Sequence, residues 1–355
     1  MDFEKIIEYA IQNQISDIHM VTGKPIFMRQ NGTMQSVGQP IAAGFNEKLI
    51  ESVLNDQQKK KLEDKRHIDF MHETADKTRL RGNAFYTNTG LSICFRLILG
   101  VPPAFADLGF PPFVGEELLR ARQGLVLVVG PTGQGKSTTI GSVLKSRADN
   151  FSEHMLMIED PIEYVLSSGK GIVQQREVGR DVESYKDGIM GSLREDPDVV
   201  MIGEIRDKET TQAILTLAET GHLVFSTLHT NGSVQTINRI LDSFTVEERP
   251  QVRSQLASNL SMIISQRLIP KADGKGRVLA FEVLTMNYAV ANYIRQDKIF
   301  QIPNVMQTDS SGQMILFEQS LVALVMSNRI TKEIAMEYAT DKNQLKALFE
   351  LNNID

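Results

Sequence analysis

The 355 residues are 41% hydrophobic and 23% charged, with a formal net charge of −6, which excludes a disordered or fibrous chain and predicts two or more packed domains. No Lys/Arg-rich block occurs, so nucleic acid is not expected as a direct substrate. The single cysteine, Cys94, excludes an internal disulfide and a multi-cysteine metal module, and the absence of a secretory leader or an apolar run of about 20 residues points to the cytoplasm.

In chain order, Phe3, Ile6, Ile7, Ala10 and Ile11 recur at helical spacing and predict a short amphipathic helix. Extended stretches follow at 16–21, 25–29 and 33–35, with Asn31-Gly32 predicting a tight hairpin. Residues 45–65 are predicted helical, with Leu49, Ile50, Val53 and Leu54 on one face. Strands are expected at 79–86 and 91–98, the latter placing Cys94 as a packed core thiol. Residues 1–99 therefore read as a small α+β domain with an antiparallel sheet. The prolines at Pro102, Pro103, Pro111 and Pro112 mark 100–117 as an interdomain linker.

From 118 onward the pattern changes to alternating strands and helices, the signature of a parallel sheet covered on both faces. Strands are expected at 125–129, 155–159, 172–176, 198–203 and 223–227. Helices are expected at 136–148, 183–194, 207–219 and 233–243. Beyond 250 the chain is predicted mainly helical, with a polar turn at 271–277 and a strand at 278–284.

Within this part, Gly130-Pro131-Thr132-Gly133-Gln134-Gly135-Lys136-Ser137 fits the phosphate-binding pattern G-x-x-x-x-G-K-[ST]. An apolar strand precedes it and an amphipathic helix follows, the context in which the loop's N–H groups and the helix dipole converge on phosphate. Gly130, Thr132, Gly133, Gln134, Gly135, Lys136, Ser137 and Thr138 are the expected nucleotide-binding residues. Lys136 is expected on the β- and γ-phosphates of ATP and the Ser137 hydroxyl on Mg²⁺.

ATP hydrolysis also needs a carboxylate for water and oxygen ligands for the metal. Acids follow two predicted strands: Glu159-Asp160-Pro161-Ile162-Glu163, and Gly203-Glu204-Ile205-Arg206-Asp207. Ligands of open α/β sheets bind at such strand ends. Gly203 stands where an Asp commonly precedes the acid, leaving Ser137, water, Glu159 and Glu163 as metal candidates, with Glu204 nearby. A third strand runs from His222 to Ser226-Thr227-Leu228-His229.

The phosphate loop, Ile158-Glu159-Asp160-Pro161-Ile162-Glu163, Leu193-Arg194-Glu195-Asp196-Pro197-Asp198-Val199 leading to Gly203-Glu204-Ile205-Arg206-Asp207, and Ala218-Glu219-Thr220-Gly221-His222 through His229-Thr230 resemble, in order, the Walker A, Asp, Walker B and His boxes of secretion-type AAA-like ATPases. Within them the chain is similar to the type IV pilus retraction ATPases, the PilT and PilU group. The resemblance runs nearly end to end and includes Ser16-Asp17-Ile18-His19.

It implies a PAS-like amino-terminal domain, a RecA-like ATPase domain with a helical carboxy-terminal part, and a hexameric ring. It further implies an inner-membrane platform protein as partner at the pilus base, and a paralogous retraction ATPase as a second one. Box by box, it assigns Glu163 as the catalytic carboxylate, Glu204 as a second essential acid, His222 and His229 as sensors of nucleotide state, and Arg79, Arg81 and Arg96 as phosphate contacts. The family's retraction motif, Ala-Ile-Arg-Asn-Leu-Ile-Arg-Glu, reads here Ala289-Val290-Ala291-Asn292-Tyr293-Ile294-Arg295-Gln296. That departure motivates a second reading, an accessory nucleotide-binding ring acting through another motor; a motor for pilus extension or DNA uptake, with the same chemistry and a different output, is a third.

Overall fold

The computed structural model describes every residue except Met1, Gln14, Asn31, Gly32, Asp76, Lys77, Leu99 and Asp355. The hairpin expected at Asn31-Gly32 thus lies outside the described residues. Two compact units divide the chain, Met1–Val101 and Pro102–Asp355.

In the first unit, α1 (Phe3–Gln12) turns Ile6, Ile7 and Ala10 inward and is capped by the Asp2 carboxylate. Then come β1 (Ile15–Val21), β2 (Ile26–Gln30), β3 (Thr33–Val37), α2 (Phe45–Val53), α3 (Asp56–Lys65), β4 (His67–Glu73), β5 (Arg79–Thr87) and β6 (Gly90–Ile98). Where spacing predicts one helix over 45–65, two form. Leu54 takes extended backbone and Asn55 opens a second helix through a capping box with Gln58. Strand β4 is an addition to the expected set.

The six strands make one antiparallel sheet in the order β3-β2-β1-β6-β5-β4. One face buries Ile18, Met20, Met28, Leu80 and Phe95 against Ile7 and Ala10 of α1 and Leu49 of α2. Alternation sends Asp17, His19, Arg79, Arg81, Cys94 and Arg96 to the other face. There Arg81 lies opposite Arg96, Arg96 opposite Asp17, and His19 opposite Cys94. Cys94 is therefore half-buried beside His19 and not packed in the core between Ile93 and Phe95.

The second unit contains α4 (Pro112–Arg120), β7 (Gly124–Val129), α5 (Lys136–Asn150), β8 (His154–Glu159), β9 (Ile172–Glu177), α6 (Tyr185–Ser192), β10 (Val199–Ile202), α7 (Lys208–Glu219) and β11 (Leu223–Leu228). It continues through α8 (Ser233–Asp242), α9 (Arg249–Asn259), β12 (Leu260–Pro270), β13 (Arg277–Thr285), α10 (Tyr288–Arg295), α11 (Ile302–Gln307), α12 (Phe317–Met326), α13 (Lys332–Tyr338) and α14 (Lys342–Leu351). The segment expected as a linker carries structure. Pro112 starts α4, where a missing N–H leaves no bond unmade, and Phe110 and Val114 pack beneath α5.

Its sheet runs β13-β12-β7-β11-β10-β8-β9, parallel except for the β12–β13 pair. Every residue of β7, β10 and β11 is buried, as strands covered on both faces require. Val126, Val128 and Phe225 meet Ile140, Val143 and Leu144 of α5 on one side. Leu125, Leu127 and Val129 meet Ile214, Ile237 and Leu256 on the other. Beyond them Ile269, Val278 and Ala280 pack with Phe317, Leu321, Leu345 and Phe349 of the carboxy-terminal helices. The expectation of a mainly helical chain beyond 250 gives way at β12, which enters the sheet beside β7. No helix of the described residues is long and apolar enough to cross a membrane.

Candidate functional site

Parallel strands bring the loops after β7, β8, β10 and β11 to one edge of the sheet. The loop after β7 is the phosphate-type loop. Gly130 has φ 147°, and a Cβ there would stand 2.3 Å from the Gln266 carbonyl oxygen, so only glycine allows the chain to pass this close to β12.

Lys136 opens α5 and is 8% exposed. Its ammonium donates to the carbonyls of Gly130 at 2.7 Å and Pro131 at 3.1 Å, and lies 3.3 Å from His229 Nδ1. No carboxylate among the described residues forms an ion pair with it. Burial lowers its pKa from the ordinary value, opposed by the nearby charge of Glu163. The result is a desolvated cation supplied only with neutral acceptors, a strong attractor for an anion. Ser137 follows half-buried, and Thr138 Oγ1 is 3.0 Å from Tyr164 Oη.

His229 stands at the end of β11. Its Nε2 is 3.0 Å from Glu204 Oε2, and its Nδ1 is 3.4 Å from Thr132 Oγ1. A neutral ring satisfies both ends: Nε2–H donates to the carboxylate while Nδ1 accepts from Lys136. Burial, then the positive charges of Lys136 and Arg206, lower its pKa from 6.5. Arg206 in turn pairs with Glu204 and donates to Asp160 Oδ2 at 2.9 Å. Lys136, His229, Glu204, Arg206 and Asp160 so form one polar chain through four loops.

Glu163 is half-buried after β8, close enough to act on the charge of Lys136. Glu159, 6% exposed, accepts from Gln175 Nε2 at 3.1 Å. At Gly203 a Cβ would stand 2.7 Å from Tyr185 Oη. An aspartate before Glu204 would crowd this hydroxyl.

Strands β12 and β13 prop the loop from outside. Gln266 Nε2 donates to the Gln134 carbonyl at 2.7 Å, the Leu268 N–H donates to Gln134 Oε1 at 2.6 Å, and Arg277 reaches the Gly133 carbonyl at 3.4 Å. Gln266 is 1% exposed, and its Oε1 has no hydrogen-bond partner among the described residues. A cavity of about 440 Å³ adjoins these contacts, lined by Pro131, Gln134, Arg267, Leu268, Arg277 and Tyr338 among others. Gln266 belongs to no motif, and the motif that contains Arg206 gives no sign of its bridge to Glu204 and Asp160. Gln266 sits in a strand whose pattern reads as helix.

Two expectations separate here. His229 reaches the loop, whereas His222 precedes β11 at the opposite sheet edge, with its Nδ1 3.1 Å from the Leu217 carbonyl oxygen and 3.0 Å from Thr220 Oγ1. Six strand residues separate the two histidines, about 20 Å at the usual rise, so one nucleotide cannot touch both in the same chain. Arg79, Arg81 and Arg96 share one face of the first unit's sheet, and Arg96 Nε donates to Asp17 at 2.8 Å.

The family model described as type II/IV secretion system protein matches residues 1–352. The type IV pilus retraction ATPase PilT of Pseudomonas aeruginosa is 40% identical over 343 residues, 96% of this chain and 98% of that protein. The type IV pilus ATPase PilU of the same organism is 34% identical over 354 residues, covering 99% and 92%. A crystal structure of the pilus retraction motor PilT with bound ADP matches with a TM-score of 0.90 at 42% identity, covering 98% of this chain and 99% of that one.

Proposed function

The chain belongs to the type II/IV secretion system protein family, and from that premise we propose that it is an ATP-hydrolysing motor that powers type IV pilus retraction as a hexameric ring. The observation that carries the chemistry is Lys136, buried at the start of α5 with carbonyls and a neutral imidazole as its partners. An arriving triphosphate replaces those weak acceptors with charged oxygens, while the loop from Gly130 to Gly135 offers N–H groups around them.

Magnesium fits the oxygen donors present. Among the described residues no group of three or more His, Cys, Asp or Glu could hold a metal, but Mg²⁺ commonly takes one or two protein oxygens and fills its shell with water and phosphate. Ser137 would hold it, with Glu159, Glu163 and Glu204 as the acids in the neighbouring loops. When bound, it would neutralise charge developing on the phosphates. In this reading Glu163 orients or deprotonates water. Glu204, shared between His229 and Arg206, reports the γ-phosphate to the loops after β8 and β11. Arg79, Arg81 and Arg96 serve as additional phosphate contacts from the amino-terminal unit. His222 has no role on the nucleotide that its own chain's Lys136 holds.

The motor would act on an inner-membrane platform protein at the pilus base, from the cytoplasmic side. Steady-state phosphate release from the purified chain tests the enzyme: Lys136→Ala or Glu204→Gln abolishes it. Counting surface pili in cells carrying Lys136→Ala tests the direction. Excess, non-retracting pili are expected, and bald cells would make it an extension motor.

One observation favours a second reading. Where the family's retraction motif has its internal arginine, Ala291 packs into the core at 8% exposure. A ring lacking that arginine would work as an accessory subunit on a second retraction ATPase. Retraction by this chain in cells lacking the paralogue would exclude this.

A further inference from the structure

We propose that Gln266 is a positioning residue that holds the phosphate loop in its nucleotide-receiving shape through the backbone of Gln134. The proposal rests on the nucleotide-loop reading above and adds a residue that lies outside its motifs.

On β12, Ile264, Gln266 and Leu268 alternate onto one face, and Ile264 is fully buried. An apolar side chain would suit the middle position equally well. A buried amide is costly unless both of its polar atoms find partners, and here only one does. Nε2 donates to the Gln134 carbonyl at 2.7 Å, whereas Oε1 has no partner among the described residues. Stability by itself does not keep a glutamine at this position; the single bond it makes does.

That bond sets a direction. The peptide between Gln134 and Gly135 is planar and trans, so its C=O and N–H point to opposite sides. With the carbonyl fixed on β12, the Gly135 N–H is turned toward the interior of the loop, where a phosphate oxygen would accept it. The neighbouring peptide is tied in the same sense by Arg277 on the Gly133 carbonyl at 3.4 Å. The Gln134 side chain is tied as well, by the Leu268 N–H at 2.6 Å. Gly130 rests against the carbonyl of Gln266 itself, 2.3 Å from where a Cβ would stand. One strand thus touches the loop at its entry and at its crown, and the same strand carries Ile269 in the cluster with the carboxy-terminal helices.

The test compares the full-length chain with Gln266→Met, which keeps side-chain length and removes the donor, and with Gln134→Ala, which frees the second tie from a half-exposed position. ADP affinity, KM and kcat of ATP hydrolysis and the thermal midpoint are measured for each. Losing one hydrogen bond to the loop should raise KM and the ADP dissociation constant about tenfold for Gln266→Met, with kcat altered less than about twofold and the midpoint unchanged or higher. Gln134→Ala should shift KM in the same direction by a smaller factor. Unchanged KM and ADP affinity in both variants, or a lowered midpoint with normal binding, would reduce Gln266 to packing and overturn the proposal. Lys136→Ala, measured alongside, separates the two failures: if it too binds ADP normally, the nucleotide-loop reading itself falls.

Discussion

Helix α5 carries a buried cation at each end, and the two are treated in opposite ways. Arg147, fully buried, donates to both oxygens of Glu153 at 3.0 and 2.6 Å and to the Leu118 carbonyl at 2.8 Å. Its charge is neutralised within the unit and its fork is filled. Lys136 is nearly as buried, yet its three neighbours are two carbonyls and an imidazole. A cation with its own carboxylate holds a fold together, whereas one left with neutral acceptors is held ready for a ligand. Burial alone would not have distinguished them; the identity of the partner does.

The sharpest way to break this contrast is to remove each cation. Lys136→Ala should cut phosphate release about 100-fold or more with the thermal midpoint nearly unchanged. Arg147→Ala should do the reverse, costing about 3 kcal/mol in denaturant unfolding because Glu153 stays buried with less compensation, while the molecules that remain folded hydrolyse ATP normally. If Lys136→Ala proved the more destabilising of the two, the contrast would collapse.

A second comparison lies along β11. His229→Gln should weaken nucleotide binding or turnover about tenfold, the scale of one charge-assisted hydrogen bond. His222→Gln should leave ADP affinity of the isolated chain unchanged by calorimetry. An equal loss in both would mean that the sheet edge does not decide.

Acid offers a milder probe. The pKa of His229 is lowered in the folded chain, so the unfolded chain binds that proton more tightly. The contribution is intact above pH 6.5 and is lost as pH falls from there through the folded value. Unfolding midpoints of wild type and His229→Gln should therefore converge or cross on acidification below pH 6.5, the wild type falling faster. The smallest effect is expected at Arg96→Ala, whose pair with Asp17 leaves the arginine side chain 60% exposed. Its stability cost should be about 1 kcal/mol or less. A far larger loss of turnover would place that arginine on phosphate.

These sites also show what the chain discloses before it folds. The phosphate loop and the acids after β8 and β10 were legible because fixed spacing and strand ends impose their geometry. Apolar runs revealed β7, β8, β10 and β11 for the same reason. β12 was not legible: covered on both faces, Met262-Ile263-Ile264 shows no alternation, and its Leu and Met content suits a helix equally well. With it Gln266 went unseen, since a lone glutamine has no signature until the strand beside the loop is known. The split at Asn55 is hard to see because residues 55–61 are all good polar helix formers or caps, and Leu62 falls eight residues after Leu54, still in helical phase. His222 and His229 look equivalent in one motif, and only strand length assigns them to opposite edges.

The close fit of Tyr185 over Gly203 bears on how this site can vary. An acid placed at position 203 would bring its first side-chain carbon to 2.7 Å from the phenol hydroxyl, so Gly203→Asp obliges the tip of Tyr185 to shift. Tyr185→Phe would remove the hydroxyl that crowds this point. The two positions are therefore coupled: which side chains fit at 203 depends on what stands at 185. A library that randomises both codons together would sample side chains at 203 that a fixed Tyr185 disfavours.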